Sequence, residues 1–552
     1  MPNFGIIYYI DGVKNLYRRD VVPTAPLWRE LCAVQILHRR LSGIGAIDFV
    51  LLLPESENSE LKQLASELGI SVTEFDSQNI LEKPYGLNQQ HWFLEDSSGN
   101  DSWYGEAFVK VFEQHPDWKY AVLVPLTNLL IDARDMADSL ELYIREGFEA
   151  CFVEERIPGA EWAIFDSDLV RGLYRSNPEI MNLRGGLYWA LRKPLYPFKV
   201  GAYHCPRIRP AITANLRLNS LRALNCYGLS APDNFDSPDF SYEDFLNDSG
   251  WEKAFASYSP LQINIEPSSI CGASCKSCPN PVLKREKGFL SLQDFSRILE
   301  GIEDYDQRLV FSGAGEPLLN KDLPEMLKLA SGFNIALHTS LQVPFEEDFP
   351  FETLDHIRIS IDSISQSSFE QLRKGCSWQN IQNFIEKAYE LKKSYDTRFP
   401  EIGLDYLRRG CSEKDILPFM KKWKSECDFV FKDNFYRWPL SLKPSKLSWI
   451  QISGEAEFCG LVSNTSTVSF EPFKRRLCRN GILNVTVLSD GTVTGCPFDS
   501  EGKYSKLGSL KESDLMTIWK SERASVWRQG NISKTFVPDS YCIYCHDWFR
   551  YS

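Results

Sequence analysis

Residues 265–279 read Ile265-Glu-Pro-Ser-Ser-Ile-Cys-Gly-Ala-Ser-Cys-Lys-Ser-Cys-Pro279. The three cysteines, Cys271, Cys275 and Cys278, follow a segment whose apolar character predicts a buried strand. Thiolates this close in sequence can bind three corners of one 4Fe–4S cubane, because iron–sulfur clusters are held by soft anionic sulfur. A structural zinc site needs a fourth ligand, and beyond the three cysteines no His, Cys, Asp or Glu lies between Cys271 and Leu283. The pattern predicts a cluster with one iron left open.

Strand-like and helix-like segments alternate around this motif as far as about residue 440. The predicted strands are Leu261–Ile265, Leu309–Phe311, Asn334–His338, Ile357–Ile361 and Ile402–Tyr406. The predicted helices are Leu292–Ile302, Leu323–Leu329, Ser368–Arg373, Trp378–Leu391 and Glu413–Lys422. Strands separated by helices of this length indicate an α/β fold with a parallel sheet.

The cysteine motif and the alternating segments resemble the radical S-adenosylmethionine (SAM) superfamily. Its signature is C-x3-C-x2-C after the first strand of a partial (βα)6 barrel, and the resemblance covers roughly residues 258–440. It implies a SAM-binding 4Fe–4S cluster on Cys271, Cys275 and Cys278. It also implies reductive cleavage of SAM to a 5′-deoxyadenosyl radical, which abstracts hydrogen from a substrate. One departure is Ser277, because the family usually has an aromatic residue near the adenine at this position.

Two further segments carry residues that the resemblance assigns to cofactor binding. Residues 311–319 read Phe-Ser-Gly-Ala-Gly-Glu-Pro-Leu-Leu, with glycines that allow close backbone approach and a carboxylate suited to an ammonium group. Residues 356–363 place two polar side chains in a largely apolar strand, although ordinary alternation on an edge strand is an alternative. The cofactor-binding candidates are Gly313, Gly315, Glu316, Ser360 and Asp362. Arg373, just beyond, is expected to form a structural ion pair, and the catalytic acid or base is not identifiable.

A second group of cysteines lies near the C-terminus, at Cys478, Cys496, Cys542 and Cys545. A predicted hairpin, Leu483–Leu488 and Thr492–Cys496 around Ser489-Asp-Gly, folds Cys496 back toward Cys478. Four thiolates complete either one 4Fe–4S cluster without an open site or one zinc site. The segment resembles the SPASM extension of radical SAM enzymes, which implies an auxiliary 4Fe–4S cluster. Only one is expected, because no cysteine follows Cys545.

The first part of the chain also alternates between strands and helices. The predicted strands are Phe4–Ile10, Ala46–Leu53, Tyr120–Val124 and Phe148–Glu154, and the predicted helices are Leu27–Leu41, Glu57–Leu68 and Ala133–Glu146. A parallel, Rossmann-like sheet is therefore expected.

Residues 42–54 and 120–133 of this part resemble sugar-nucleotide cytidylyltransferases. In that family a glycine- and lysine-rich phosphate loop follows the first strand, but residues 10–19 here contain a single glycine. The family's metal-binding Asp corresponds to the neighbourhood of Thr127, and Asp132 and Asp135 lie past the strand end. We therefore expect a degenerate, nucleotidyltransferase-like binding domain, with an active transferase as the alternative.

Together these segments predict four regions. They are a nucleotidyltransferase-like domain at 1–230, a turn-rich acidic linker at 231–257, a radical SAM barrel at 258–445 and a SPASM domain at 446–552. The expected architecture is α/β throughout, with a Rossmann-like sheet, a partial (βα)6 barrel and a small iron–sulfur domain.

The overall composition limits the partners. The 552 residues carry a net charge of −13, so nucleic acid is not an expected partner, and no run reaches the length of a membrane span. Without a signal peptide the expected location is the cytoplasm. Since disulfides are rare there, eight scattered cysteines are interpreted as small buried apolar residues: Cys32, Cys151, Cys205, Cys226, Cys376, Cys411, Cys427 and Cys459.

The resemblance implies a flavodoxin- or ferredoxin-like reductant and, as substrate, often a peptide or protein side chain. A nucleotide-linked sugar or small molecule is the alternative that the first domain suggests. Two other classes stay open. One is a non-catalytic iron–sulfur protein for electron transfer, and the other is a nucleotidyltransferase whose clusters are structural.

Overall fold

The computed structural model describes most of the chain. The described residues are 3–9, 29–55, 59–75, 105–154, 159–176, 178–181, 187, 198–204, 216, 221–247, 250–275, 278–302, 307–346, 349–394, 400–408, 413–423, 426–432, 435–436, 446–454, 458–459, 461, 478–536 and 540–545. The chain divides into two compact units whose boundary lies between Tyr258 and Ser259. The α/β fold class is confirmed. None of the helices that can be described is both long and apolar enough to cross a membrane.

The first unit contains a mixed sheet. Its described strands are β1 (Phe4–Tyr9), β2 (Asp48–Pro54), β3 (Ser71–Phe75), β4 (Tyr120–Pro125), β5 (Ala150–Glu154), β6 (Ala163–Asp166) and β7 (Val200–His204), in the order β3-β2-β1-β4-β6-β5-β7. The four strands predicted here are confirmed. The expectation of an all-parallel sheet is wrong, because β6 runs antiparallel to both β4 and β5.

The helices of this unit include the three that were predicted. The described helices are α1 (Ala33–Leu41), α2 (Ser59–Glu67), α3 (Gly105–Gln114), α4 (Ala133–Glu146), α5 (Ser167–Ser176), α6 (Pro178–Met181), α7 (Leu221–Ser230), α8 (Tyr242–Asn247) and α9 (Gly250–Tyr258). Asp132, which lies near the expected metal-binding position, caps α4 by accepting from the Arg134 amide, and its other oxygen accepts from the Tyr242 amide at 3.1 Å. Both oxygens of this carboxylate therefore have structural partners.

Residues 231–257 do not form the extended linker that their turn-rich composition suggests. They contain α8 and most of α9, and Phe235 and Phe240 are buried within the first unit. The buried guanidinium of Arg40 lies 4.9 Å and 4.0 Å from the centroids of these two rings. Burial lowers the pKa of Arg40 to about 9, and the aromatic faces supply part of the stabilisation that water would give this cation. Phe235 and Phe240 therefore anchor an otherwise polar segment, residues 231–257, by burying their rings in the core of the first unit.

The close packing of Gly5 gives a test of the first sheet. A Cβ on Gly5 would lie 2.0 Å from the ring of Trp118, which is buried. We expect Gly5→Ala to lower the free energy of unfolding by about 1–3 kcal/mol, because the ring must move within a packed core. Gly172→Ala is the matched control, because it meets nothing within 4 Å in α5 and should stabilise the helix by about 0.5–1 kcal/mol. Urea unfolding would measure both, and equal effects would contradict the packing argument.

The second unit is built on one large sheet. Its described strands are β8 (Gln262–Ile265), β9 (Ser274–Cys275), β10 (Arg308–Phe311), β11 (Asn334–Thr339), β12 (His356–Ser360), β13 (Arg373–Lys374), β14 (Glu401–Arg408), β15 (Cys427–Lys432), β16 (Phe435–Tyr436), β17 (Leu447–Gly454), β18 (Asn484–Val487), β19 (Thr492–Thr494) and β20 (Lys506–Ser509). The order of the large sheet is β16-β15-β17-β14-β12-β11-β10-β8-β18-β19-β20, and β9 pairs with β13 separately. The run from β8 to β15 within this order is parallel, as expected for a partial barrel.

Two strands revise the predicted domain boundary at residue 446. β17 falls in the predicted SPASM domain, yet it lies between β14 and β15 and pairs with both in parallel. β18 pairs in parallel with β8, and the predicted hairpin of β18 and β19 is confirmed as an antiparallel pair. The C-terminal segment therefore extends the sheet of the barrel, and both regions share one hydrophobic core.

The helices of the second unit cover this sheet. They are α10 (Leu292–Leu299), α11 (Leu323–Leu329), α12 (Gln366–Leu372), α13 (Trp378–Ser394), α14 (Ile416–Trp423), α15 (Arg479–Leu483), α16 (Leu515–Lys520) and α17 (Glu522–Ser533), with single 3₁₀ turns at Asn280–Val282, Pro317–Leu319, Phe351–Thr353, Glu413–Asp415 and Tyr541–Tyr544. Because β8, β10, β11, β12 and β14 are parallel, their carboxyl ends lie at one edge of the sheet. The predicted cluster and cofactor residues follow these ends.

Candidate functional site

The segment that carries the three cysteines follows β8, and hydrogen bonds join its first residues to its last ones. The Ser269 amide donates to the Gly288 carbonyl at 3.0 Å, and the Gly288 amide donates to the Ser269 hydroxyl at 2.9 Å. The Leu290 amide donates to the Pro267 carbonyl at 2.9 Å. These bonds close residues 267–290 into one loop, so the cysteines are presented from a held backbone rather than from a free tail.

The three thiols of this loop are half-buried and receive polar contacts. The Asn280 amide lies 3.4 Å from the Cys278 sulfur, and the side-chain nitrogen of Gln342 lies 3.5 Å from the Cys271 sulfur. Cys275 lies in β9, where it pairs with Arg373 of β13. Burial raises the pKa of Cys278 to about 11, and a bound metal would oppose this effect, because metal ligation favours the thiolate.

Asn280 joins this loop to the next strand connection, a role that the sequence did not reveal. Its buried side-chain amide donates to the Ser269 carbonyl at 2.7 Å and to the Ala314 carbonyl at 2.8 Å. Its side-chain oxygen accepts from Lys287 at 2.9 Å. An Asn two residues beyond the last cysteine was the available signal, but spacing alone does not distinguish it from an ordinary turn residue.

The glycine-rich segment after β10 packs directly against the cysteine loop. A Cβ on Gly315 would lie 2.1 Å from the Ser268 carbonyl oxygen, and one on Gly313 would lie 2.4 Å from the Glu266 side chain. The Glu316 amide donates to the Ile270 carbonyl at 3.0 Å. Gly315 is therefore needed for the approach of two backbones, and Gly313 leaves room for the Glu266 side chain, whatever ligand they also contact.

Replacement of Gly315 by alanine tests this packing. We expect Gly315→Ala to displace the cysteine loop and to lower the iron bound after anaerobic reconstitution by up to half, because the methyl group would overlap a backbone carbonyl. Gly288→Ala is the matched control, since a Cβ there meets nothing within 4 Å on the same loop. Iron analysis measures both variants, and full iron loading of Gly315→Ala would show that the contact is not needed.

Glu316 is buried and its carboxylate is fully occupied by donors of the chain. One oxygen accepts from the Thr339 hydroxyl at 2.6 Å and the Leu318 amide at 3.3 Å. The other accepts from the Ser340 amide at 3.0 Å and the Ser340 hydroxyl at 2.7 Å. The bonds to Thr339 and Ser340 fasten the end of β11 to the glycine-rich segment, which the Glu316 amide joins to the cysteine loop. Any role of Glu316 toward an ammonium group remains a prediction beside this structural one.

The two remaining cofactor-binding candidates, Ser360 and Asp362, differ in their burial and in their contacts. Ser360 ends β12 and is half-buried, and β12 lies inside the sheet between β11 and β14, so the edge-strand alternative is wrong. Asp362 is fully buried and forms a bidentate ion pair with Arg373 at 2.7 Å and 3.0 Å. This pair confirms the structural role predicted for Arg373. Cofactor contact by Ser360 and Asp362 stays a prediction.

A buried ion pair connects the cysteine loop to the C-terminal hairpin. Arg285 donates to both oxygens of Glu266, at 2.8 Å and 2.5 Å. The same carboxylate accepts from the Ala314 amide at 3.0 Å and the Ser489 amide at 2.9 Å. Arg285 also donates to the Ser500 carbonyl at 2.6 Å. Glu266, Arg285 and their partners therefore hold three chain segments in one arrangement.

The C-terminal cysteines lie at the ends of short elements. Cys478 precedes α15 and Cys496 follows β19. Cys542 lies within the 3₁₀ turn Tyr541–Tyr544, where its amide donates to the Ser540 hydroxyl at 3.1 Å, and Cys545 follows that turn. All four are half-buried. Among the described residues no three His, Cys, Asp or Glu side chains are close enough to bind one metal ion. Each cysteine of a cubane binds its own iron, so cluster ligands stand farther apart than ligands of a single ion.

Two of the scattered cysteines lie beside predicted ligands, which their isolated positions in the sequence did not indicate. The thiol of Cys459 is hydrogen-bonded to Cys496, and this contact, together with burial, raises the pKa of Cys496 above its ordinary value. The thiol of Cys376 is hydrogen-bonded to Cys275, and this contact and burial raise the pKa of Cys376. Cys32, Cys151, Cys226 and Cys376 are buried, as predicted, and Cys459 is half-buried.

Several predicted positions lie outside the described residues. They are Ser277, residues 10–19 at the expected phosphate loop, Cys205, Cys411 and the side chain of Cys427. In the described part of the chain, the donor set fits an iron–sulfur cluster. Three thiols lie on one hydrogen-bonded loop, and N–H groups contact the sulfur atoms of two of them, Cys278 and Cys271.

Comparison with known proteins identifies two domains. Residues 265–399 match the family model of the radical SAM superfamily, and residues 478–546 match SPASM, an iron–sulfur cluster-binding domain. Both resemblances drawn from the cysteine motifs are thereby confirmed. The SPASM match favours a cluster over zinc at the C-terminal cysteines, and the radical SAM match implies a 4Fe–4S cluster and SAM as cofactors.

The relatives are distant. GTP 3′,8-cyclase of Vibrio atlanticus (strain LGP32) is 22% identical over 240 residues, 42% of this chain and 65% of that protein. The match thus spans less than two thirds of its length. PqqA peptide cyclase of Xanthomonas axonopodis pv. citri (strain 306) is 20% identical over 294 residues, 49% of this chain and 77% of that protein.

The first unit has a weaker match. The structure of a cytidylyltransferase from Leptospira borgpetersenii serovar Hardjo-bovis (strain JB197) aligns with a TM-score of 0.35 and 16% identity, covering 46% of this chain and 96% of that chain. This similarity is too low to carry an argument. The cytidylyltransferase resemblance of residues 1–230 therefore stays a prediction.

Proposed function

We propose that this chain, with its radical SAM and SPASM domains, is a radical SAM enzyme that modifies a peptide or protein side chain. The observation that carries the proposal is the joining of the cysteine loop to the glycine-rich segment through Gly315 and Ser268. Cys271, Cys275 and Cys278 would hold a cluster that, when bound, would supply an electron for cleavage of SAM and so the radical chemistry for hydrogen abstraction from a substrate. The chain's own contribution is to hold three thiols and the cofactor segments at one edge of the sheet.

The residues act in three ways. Cys271, Cys275 and Cys278 would hold the SAM-binding cluster, and the SPASM cysteines would hold the auxiliary one. Gly313 and Gly315 leave backbone free of side chains where the methionine end of SAM would bind. Glu316 fixes the end of β11 against the glycine-rich segment, which keeps these groups in place before the cofactor arrives.

The substrate class rests on relatives and is the finer part of the proposal. PqqA peptide cyclase, whose name states a peptide substrate, matches over most of its own length. GTP 3′,8-cyclase favours a nucleotide or other small molecule as the second candidate. A flavodoxin- or ferredoxin-like protein is proposed as the electron donor. This part of the proposal rests on the resemblance to radical SAM enzymes.

The test is anaerobic. Reconstituted protein is expected to bind about eight irons per chain, about four for each cubane, and to form 5′-deoxyadenosine from SAM after reduction with dithionite. A synthetic peptide library is expected to increase this rate, whereas GTP is the probe for the second candidate. Stimulation by GTP alone would overturn the peptide proposal. Iron without 5′-deoxyadenosine, and without an effect of SAM on the EPR signal, would favour an electron-transfer protein.

A further inference from the structure

The loop after β11 holds one residue in an unusual backbone conformation. Leu341 is fully buried and has a φ of 52°, a left-handed conformation that is strained for a non-glycine residue. The Leu341 amide donates to the Thr339 hydroxyl at 2.9 Å. Asn380, in α13, donates to the carbonyls of Leu341 and Gln342 at 3.1 Å and 3.3 Å. The surrounding bonds therefore hold a strained turn that delivers Gln342 to the cysteine loop.

The Gln342 side chain contacts two neighbouring groups of that loop. Its oxygen accepts from the Gly272 amide at 2.8 Å, and its nitrogen lies 3.5 Å from the Cys271 sulfur. The orientation of the side-chain amide follows from chemistry, because a backbone N–H can only donate and must face the oxygen. The –NH₂ group is then directed at the sulfur. A Cβ at position 272 would lie 3.1 Å from the Gln342 oxygen, so glycine suits this approach.

We propose that Gln342 is a positioning residue that makes the cluster on Cys271, Cys275 and Cys278 easier to reduce, by donating an N–H···S hydrogen bond to Cys271. The inference rests on the cluster of the proposed function. Reduction adds negative charge to the cluster and its thiolates, so a donor at a ligand sulfur stabilises the reduced form more than the oxidised form. Its effect should therefore appear in the reduction potential.

A purely structural role predicts a different pattern. If Gln342 only held the Gly272 amide, any acceptor would serve. Gln342→Glu keeps an acceptor oxygen and removes the donor, whereas Gln342→Leu removes both. The N–H···S role predicts that both variants are harder to reduce than the wild type, with Glu lowest because it adds a negative charge. A structural role predicts that Glu, which keeps the bond to the Gly272 amide, is harder to reduce only through its added charge, and that Leu either keeps the wild-type potential or loses iron.

The experiment is an EPR-monitored redox titration of the reconstituted full chain. The signal of the three-cysteine cluster is obtained as the difference between each protein and the same protein carrying Cys275→Ala, which does not depend on SAM cleavage. We expect the equilibrium constant for one-electron reduction to fall about tenfold in Gln342→Leu, which corresponds to about 59 mV. Gln366→Leu is the matched control, because the Gln366 side chain lies on an exposed helix face, where it donates to Glu370.

The outcomes separate the alternatives. An unchanged potential in Gln342→Leu would overturn the proposal, even if Gln342→Glu were lower, because the added charge alone would then explain the shift. Loss of iron from both variants would show that Gln342 is needed for loop folding and would also overturn it. Absence of 5′-deoxyadenosine in the wild type, with the shift present, would count against the proposed function and leave the role of Gln342 intact.

Discussion

Cys275→Ala is expected to halve the iron bound after reconstitution, from about eight to about four atoms per chain, and to reduce 5′-deoxyadenosine below detection. Cys275 lies in β9, between the two other cysteines of the loop, and its pairing with β13 fixes its position. Loss of one thiol leaves two ligands for a cubane that needs three with an open iron. Iron and sulfide analysis, EPR and a 5′-deoxyadenosine assay would measure the change. The auxiliary cluster should remain.

Cys376→Ala is the matched control for this experiment. The Cys376 thiol is buried and hydrogen-bonded to Cys275. The substitution Cys376→Ala therefore removes a sulfur atom from the same neighbourhood as Cys275→Ala does. We expect it to keep about eight irons and the 5′-deoxyadenosine activity. Loss of four irons from Cys376→Ala, with retention in Cys275→Ala, would mean that the two neighbouring thiols have been assigned to the wrong roles.

The sequence predicts most strands of the second unit because buried parallel strands have nearly continuous apolar runs. β8, β10, β11, β12 and β14 were all found in this way. β17 was missed because it lies beyond residue 440, where the alternating series was expected to end, and because it pairs out of chain order, between β14 and β15. The first sheet was wrongly expected to be all-parallel, because the direction of a strand depends on the connections that precede and follow it. The residues of β6 alone do not show that it runs antiparallel to β4 and β5.

The site was predictable only where ligands follow one another along the chain. Cys271, Cys275 and Cys278 show their purpose through spacing, and Gly315 through its place after a strand. Along the chain, Gln342 lies 71 positions from Cys271 and Cys376 lies 101 positions from Cys275, although each contacts that cysteine in the fold.

 A periodicity or motif cannot relate positions so distant, and tertiary folding alone brings them together. Asn280 is close in sequence, but its buried contacts depend on Ala314 of another connection.

Arg285→Met is expected to lower the free energy of unfolding of the second unit by about 3–5 kcal/mol, because it leaves the Glu266 carboxylate buried without its cation. Both side chains are buried, and the pair lies among backbone donors that cannot neutralise a full charge. The variant should also load less iron, since the same pair holds the cysteine loop to the glycine-rich segment and the hairpin. Anaerobic urea unfolding, followed by loss of cluster absorbance, would measure the change.

A double variant separates the buried charge from the loss of packing. Glu266→Gln combined with Arg285→Met removes both charges and keeps one acceptor oxygen, so we expect it to be more stable than Arg285→Met alone. Lys393→Met is the surface control, because its pair with Glu390 is exposed and should cost about 0.5 kcal/mol or less. If the double variant were no more stable than Arg285→Met, the loss would come from missing contacts of the guanidinium. The coupling among loop, glycine-rich segment and hairpin would then depend on the shape of Arg285 and not on its charge.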